Sequence, residues 1–229
     1  MKILVVIPTQ KEFDFFLAAC AEMAGEAEHS RLGRVEVVQF ADLGIRGKGV
    51  LTLSRGGLGK VQFAVHTQHL LDVGSEWDLV ICAGAAGALV DTLSIFDVVV
   101  STETVEHDIN NHFGAPRLPR FNGAEAVISE LKRVSSSFTS FQVHFGPVAS
   151  GDEDVVDLER RRAIQKLTGA LAVAWEGAGG ARACQFSQVP FVEIRGISDG
   201  ADSDAASDFL ANLKQVMKNI ATLIIKIGD

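Results

Sequence analysis

Short apolar runs rich in β-branched residues recur along the chain. They are KILVVIP (2–8), VEVVQFA (35–41), GVLTLS (49–54), DLVICAG (78–84), DVVVSTE (97–103), FQVHFGPVAS (141–150), ALAVAW (170–175) and PFVEIRGIS (190–198). Several lack the polar–apolar alternation of a half-exposed strand, which is the pattern of strands covered on both faces. Between these runs the apolar residues return at helical spacing. Residues 12–24 place Phe13, Phe16, Leu17 and Cys20 on one face, and residues 59–73 do the same with Val61, Ala64, Val65 and Leu71. Segments 152–167 and 204–227 complete the set. Strands alternating with helices predict an α/β fold in three layers, α/β/α, with helices on both faces of a mostly parallel or mixed central sheet. No linker-like stretch, internal repeat or low-complexity tract interrupts the pattern, so residues 1–229 read as a single domain. The loosest segment, NNHFGAPRLPRFNG (110–123), reads as a surface loop long enough to act as a lid or to face a partner.

A hydrophobic fraction of 47% with 22% charged residues suits a globular protein able to bury a sizeable core. The net charge of −8 and a pI near 5.3 argue against a nucleic-acid or anionic-membrane surface, which needs a basic patch. No apolar run reaches the roughly 18 to 20 residues of a membrane span. The N-terminal run is cut short by Pro8, Gln10 and Lys11 and lacks a small-residue cleavage site, so it reads as a strand rather than a signal peptide. Cys20, Cys82 and Cys184 are odd in number and far apart, which suggests neither a disulfide framework nor a zinc knuckle. A reducing compartment fits them, and the expected location is the cytoplasm.

Two glycine-rich turns follow strands. SRGGLGKVQ (54–62) runs into a helix and leaves backbone N–H groups where a polar ligand can sit, and CAGAAGAL (82–89) lets a ligand approach the backbone. Neither is a phosphate-binding Walker loop or a dinucleotide fingerprint. The six histidines are scattered, no G-x-S-x-G elbow is present, and neither a metal nor a cofactor is expected. The acids are more informative. Glu12, Glu176 and Asp199 each follow a predicted strand, and in an open α/β sheet such positions share the edge where ligands bind. Each also reads as a helix cap. Glu176 poses the sharper question, because it stands among Ala, Val, Trp and Gly in GALAVAWEGAGGARACQF (169–186). A carboxylate buried there needs partners or takes up a proton.

The segments SRGGLGKVQFA (54–64), CAGAAGAL (82–89), FDVVVSTETVEHDI (96–109), VASGDEDV (148–155), AWEGAGGARAC (174–184) and PFVEIRGISDGAD (190–202) carry a resemblance across almost the whole chain. The sequence resembles the methylthioadenosine/S-adenosylhomocysteine nucleosidases of the nucleoside phosphorylase superfamily, most specifically in the last two segments. The resemblance implies a nucleoside phosphorylase-like fold, a purine nucleoside as substrate, hydrolysis of its N-glycosidic bond, and a homodimer with HDINNHF (107–113) near the neighbour's pocket. Breaking a ribosyl–purine bond needs an acid at the base, a carboxylate on the sugar hydroxyls and a base that positions water. By this resemblance Asp199 protonates purine N7, Glu176 accepts from the 2′- and 3′-hydroxyls, and Glu12 activates water with help from Arg195. Ser198 is the neighbour expected to keep Asp199 protonated. Leu58, Ala85, Gly87, Asp154, Val155 and Trp175 are expected around the substrate, with Phe209 covering its 5′-substituent.

The chain departs from the family at three of these places and at Thr9. Ala85 stands for a Ser, Trp175 for a Met, Asp154 for a purine-stacking Phe, and Thr9 for an apolar residue of the 5′-pocket. Three other readings therefore stay open. One is a futalosine hydrolase. Another is a phosphate-dependent phosphorylase, for which Arg46, Lys48 and Arg55 are the nearest anion contacts. The third is a nucleoside-binding protein without turnover.

Overall fold

The computed structural model describes residues 1–41, 49–74, 76–109, 113 and 117–227. The unalternated apolar runs form the middle of its sheet. β1 (Lys2–Ile7), β4 (Val50–Arg55), β5 (Leu79–Ala88) and β10 (Phe191–Asp199) lie parallel, and β5 and β10 are buried along their whole length. β1 divides its side chains between the two faces, as a strand with period two must. Ile3, Val5 and Ile7 join one apolar cluster, while Leu4 and Val6 join the other.

Helices cover both faces. α1 (Gln10–Ala24), α3 (Glu125–Ser135) and α6 (Ala205–Ile224) bury Phe16, Leu131, Val216 and Ile220 in the first cluster. α2 (Lys60–Val73) and α5 (Gly177–Ser187) bury Phe63, Leu70, Ala181 and Cys184 in the second. This is the expected three-layer arrangement around a mixed sheet. An antiparallel meander of β4, β3 (Val35–Ala41) and β2 (Glu28–Leu32) forms one end. At the other end β6 (Val98–Glu106), β8 (Val143–Ser150) and β9 (Ala172–Ala174) run parallel to one another. β6 is antiparallel to β10, and β9 is antiparallel to β5. Because β10 pairs with both β5 and β6, the strands β5–β10–β6–β8–β9 close into a ring. An open sheet is therefore only half the description.

Several local expectations are corrected. α2 buries Phe63, Thr67 and Leu70, leaving Val61 and Val65 exposed. Phe63 packs in the second cluster against α5, where the absence of a side chain at Gly180 leaves room for its ring, and that contact sets the buried face. α4 (Leu158–Thr168) begins six residues later than its acidic lead-in suggests, where Asp157 accepts from the Arg160 N–H at 2.8 Å. Residues 152–155 are thereby released as a loop. Within the loose 110–123 segment, Arg120–Asn122 form β7 on β6, while residues 110–112 and 114–116 lie outside the described residues. The cysteines are free and buried. Among the described residues no helix is long and apolar enough to cross a membrane.

Candidate active site

A cavity of about 450 Å³ opens where the C-terminal ends of β1, β5 and β10 meet the β9–α5 turn. Glu12, Leu58, Ala85, Gly87, Asp154, Val155, Trp175, Glu176, Arg195, Ser198, Asp199 and Phe209 all line it. Glu176 arrives by an unexpected route. β9 runs antiparallel to β5, so its end carries Glu176 back down beside the β5 backbone rather than along a shared strand edge.

Glu12 is held by a capping box. Thr9, the N-cap of α1, donates from its hydroxyl (2.6 Å) and its backbone N–H (3.0 Å) to Glu12 Oε2, and accepts from the Glu12 N–H. The other oxygen, Oε1, accepts from the Ala85 N–H at 2.9 Å. Thr9 therefore orients the carboxylate. Gly84 keeps the space between the charged groups open. A Cβ there would lie 2.6 Å from Arg195 Nη1 and 2.9 Å from Glu12 Oε1. No hydrogen bond joins Arg195 to Glu12 among the described residues. Ala85 links them instead, donating its N–H to Glu12 and accepting from Arg195 Nη1 at its carbonyl, 3.3 Å away.

Glu176 does not cap its own helix. Ser150 takes that task, accepting from the Ala178 N–H at 2.9 Å and donating to the Trp175 carbonyl at 2.7 Å. The Glu176 carboxylate is left to accept from Arg195 Nη2 at 3.2 Å and from the Gly59 N–H at 3.3 Å. Burial pushes its pKa up to about 7; the nearby Arg195 opposes this and Glu12 reinforces it. The Arg195 guanidinium also donates to Glu193 Oε1 at 2.7 Å and lies 3.3 Å from Cys82 Sγ. Burial alone would loosen its proton, but Cys82, Glu193 and Glu176 together raise its pKa.

Asp199 carries a raised pKa because it is desolvated. Here the expectation about Ser198 is reversed. Its hydroxyl sits 2.7 Å from Asp199 Oδ2, and the Ala201 N–H donates to Oδ1 at 2.9 Å. Both bonds favour the ionised form, so burial raises the pKa against Ser198 rather than through it.

The outer wall is the loop before α4. Lys60 pairs with Glu106 (3.1 Å) and Asp108, Asp108 accepts from the Asp152 N–H (2.9 Å), and Asp152 accepts from the Lys60 N–H (2.8 Å). Glu153 is engaged by Arg160. Asp154 stays exposed at the rim, and Leu58 is half exposed at the mouth. The cavity wall thus carries Glu12, Glu153, Asp154, Glu176 and Asp199 against Arg195 among the described residues. Arg55 lines a different hollow between α1 and the β2–β3 hairpin, and Arg46 and Lys48 lie outside the described residues.

Sequence reasoning missed Ser150, Glu193 and Thr104, whose hydroxyl donates to Glu193 at 2.6 Å. The strand motif VEIRGIS contained the signal: a Glu two residues before an Arg within an otherwise apolar strand.

Comparison with known proteins places the chain in a family. The phosphorylase superfamily profile matches residues 2–227. A 5′-methylthioadenosine/S-adenosylhomocysteine nucleosidase of Shewanella denitrificans is 30% identical over 87% of this chain and 88% of its own. The Neisseria meningitidis nucleosidase, solved in complex with methylthio-immucillin-A, superposes with a TM-score of 0.84 at 31% identity, covering 99% of this chain and 97% of that one. Futalosine hydrolase of Helicobacter pylori superposes with a TM-score of 0.84 at 27% identity, with the same coverage. The chain belongs to the 5′-methylthioadenosine/S-adenosylhomocysteine nucleosidase family of the phosphorylase superfamily.

Proposed function

We propose that this protein hydrolyses the N-glycosidic bond of 5′-methylthioadenosine, S-adenosylhomocysteine or a related 5′-modified purine nucleoside. The observation that carries the reading is that three of the cavity's carboxylates, Glu12, Glu176 and Asp199, are buried and stand in three different environments. Asp199, desolvated and raised in pKa, is suited to give a proton to purine N7 as charge leaves the sugar. Glu176, held by contacts of 3.2 and 3.3 Å, is suited to accept from the ribose diol. Glu12, fixed by three donors, is suited to orient the attacking water. Arg195 holds Glu176 directly and reaches Glu12 through Ala85.

The electrostatics favour water over phosphate. An anion in this cavity would meet carboxylates on several sides, and the guanidinium is already matched to Glu176 and Glu193. A neutral thioether substituent fits the apolar contacts of Pro8, Val155 and Phe209 better than an anionic one. Futalosine hydrolase is the second reading, supported by the Helicobacter pylori neighbour. We propose that the protein acts as a homodimer in the cytoplasm. Val61, Val65 and Phe186 stand exposed on the neighbouring helices α2 and α5, a suitable apolar contribution to such an interface. Free-base release from methylthioadenosine, adenosylhomocysteine, futalosine and unmodified nucleosides, with and without phosphate, tests the reading. Release of adenine from the thioether nucleosides in phosphate-free buffer supports it. Binding without release would leave a nucleoside-binding protein.

A further inference from the structure

Glu193 lies behind the cavity wall and is fully buried on β10. It precedes Arg195 by two residues, so both side chains leave the same face of the strand. Its Oε1 accepts from Arg195 Nε at 2.7 Å, and its Oε2 accepts from the Thr104 hydroxyl on β6 at 2.6 Å. The fold leaves room for it: a Cβ on Gly177, the first residue of α5, would lie 2.1 Å from Glu193 Oε2. A buried ion pair seldom improves on well-packed apolar residues for stability alone. Its role must be sought in what it does to its neighbours.

Three carboxylates, Glu12, Glu176 and Glu193, surround one guanidinium, and they are served unequally. Glu12 has three donors within 3.0 Å. Glu193 has the guanidinium and a hydroxyl within 2.7 Å. Glu176 has contacts of 3.2 and 3.3 Å. We propose that Glu193 is a positioning residue of the nucleoside site: by holding the Nε edge of Arg195, it limits the guanidinium's hold on Glu176 and leaves that carboxylate able to exchange partners with a bound diol. The inference rests on the nucleosidase reading only for the nature of the diol.

The charged and titratable groups around Glu176 are Arg195 and Glu193 from β10, Glu12 from α1 and Cys82 from β5, with Asp199 across the cavity. With Glu193 neutralised, the pull of Arg195 falls more fully on Glu176 and its proton affinity drops. The test uses full-length protein without substrate, labelled with 13C at the glutamate carboxyl carbons. The Glu176 resonance is assigned by its loss in Glu176→Gln and followed against pH. In Glu193→Gln the Glu176 midpoint is expected to fall by about one pH unit relative to the wild type. Glu193→Met, which removes the acceptor as well as the charge, is expected to lower it at least as far. An unchanged or raised midpoint in either folded variant overturns the assignment. Failure of both variants to fold also overturns it, because Glu193 would then be a structural counter-ion. Since no substrate is present, a failed turnover assay would refute the nucleosidase reading while leaving this shift intact.

Discussion

Replacing Glu176 by Gln is expected to make the protein more stable above neutral pH while disabling it. Burial raises the Glu176 pKa from 4.5 to about 7 in the folded chain. The folded state therefore binds more protons than the unfolded state between those values, and stability must fall as pH rises through that window. Below about pH 4.5 both states are protonated at this residue and the cost vanishes; above pH 7 it is fully present. A shift of about 2.5 units corresponds to roughly 3 kcal/mol. Gln is neutral at every pH and nearly the same shape, so at pH 5 it resembles the protonated wild-type side chain. Equilibrium urea unfolding at matched protein concentration, at pH 5 and pH 8, measures the difference. The Gln variant should match the wild type within about 1 kcal/mol at pH 5. At pH 8 its midpoint should lie higher by about 1 M urea. Turnover should fall about a hundredfold or more through loss of an anionic contact to the sugar. Wild-type stability that does not change across this range, or a variant that gains nothing at pH 8, would refute the argument.

Other expectations follow from the same geometry. Asp199→Asn should bind a purine nucleoside with modest loss yet cleave it about 10² to 10⁴ times more slowly. A nitrophenyl riboside, whose leaving group needs little protonation, should be rescued in part; equal losses on both substrates would make Asp199 a scaffold. Thr9→Val removes the cap hydroxyl that also holds Glu12, so it should cost about 1 kcal/mol in unfolding experiments and lower kcat more than it raises KM. Adenine release should not increase with added phosphate, and ribose-1-phosphate should be absent from the products by chromatography.

The layers of the fold were legible because burial leaves a period in the sequence. β1, β5 and β10 could be read from runs with no polar alternation, and Glu12, Glu176 and Asp199 from their places after such runs. What could not be read was who faces whom. Val61 and Val65 share a helical stripe, but period alone does not say that Phe63, on another stripe, has the better partner in α5. Glu176 looked like a cap because the residue that relieves it, Ser150, belongs to a different strand. The direction of Ser198's effect also depended on geometry: the same neighbour can hold a proton on a carboxyl or help remove it, according to which atom donates.

The closed ring has a consequence for how the protein comes into being. β10 is the last strand in the chain, and it pairs with β5 and β6, partners about a hundred residues earlier in sequence; such distant pairings are slow to form. It also carries Arg195 and Asp199, the cation and the acid of the cavity. Until that strand docks, Glu176 and Glu12 have no cation between them, and a growing chain carries half a site. Assembly of the cavity is therefore expected to coincide with the slowest refolding phase. Trp175, on the cavity wall, can report it by fluorescence once Trp77 is replaced by Phe. A Trp175 signal that reaches its native value before β10 amides are protected from hydrogen exchange would contradict this order of events.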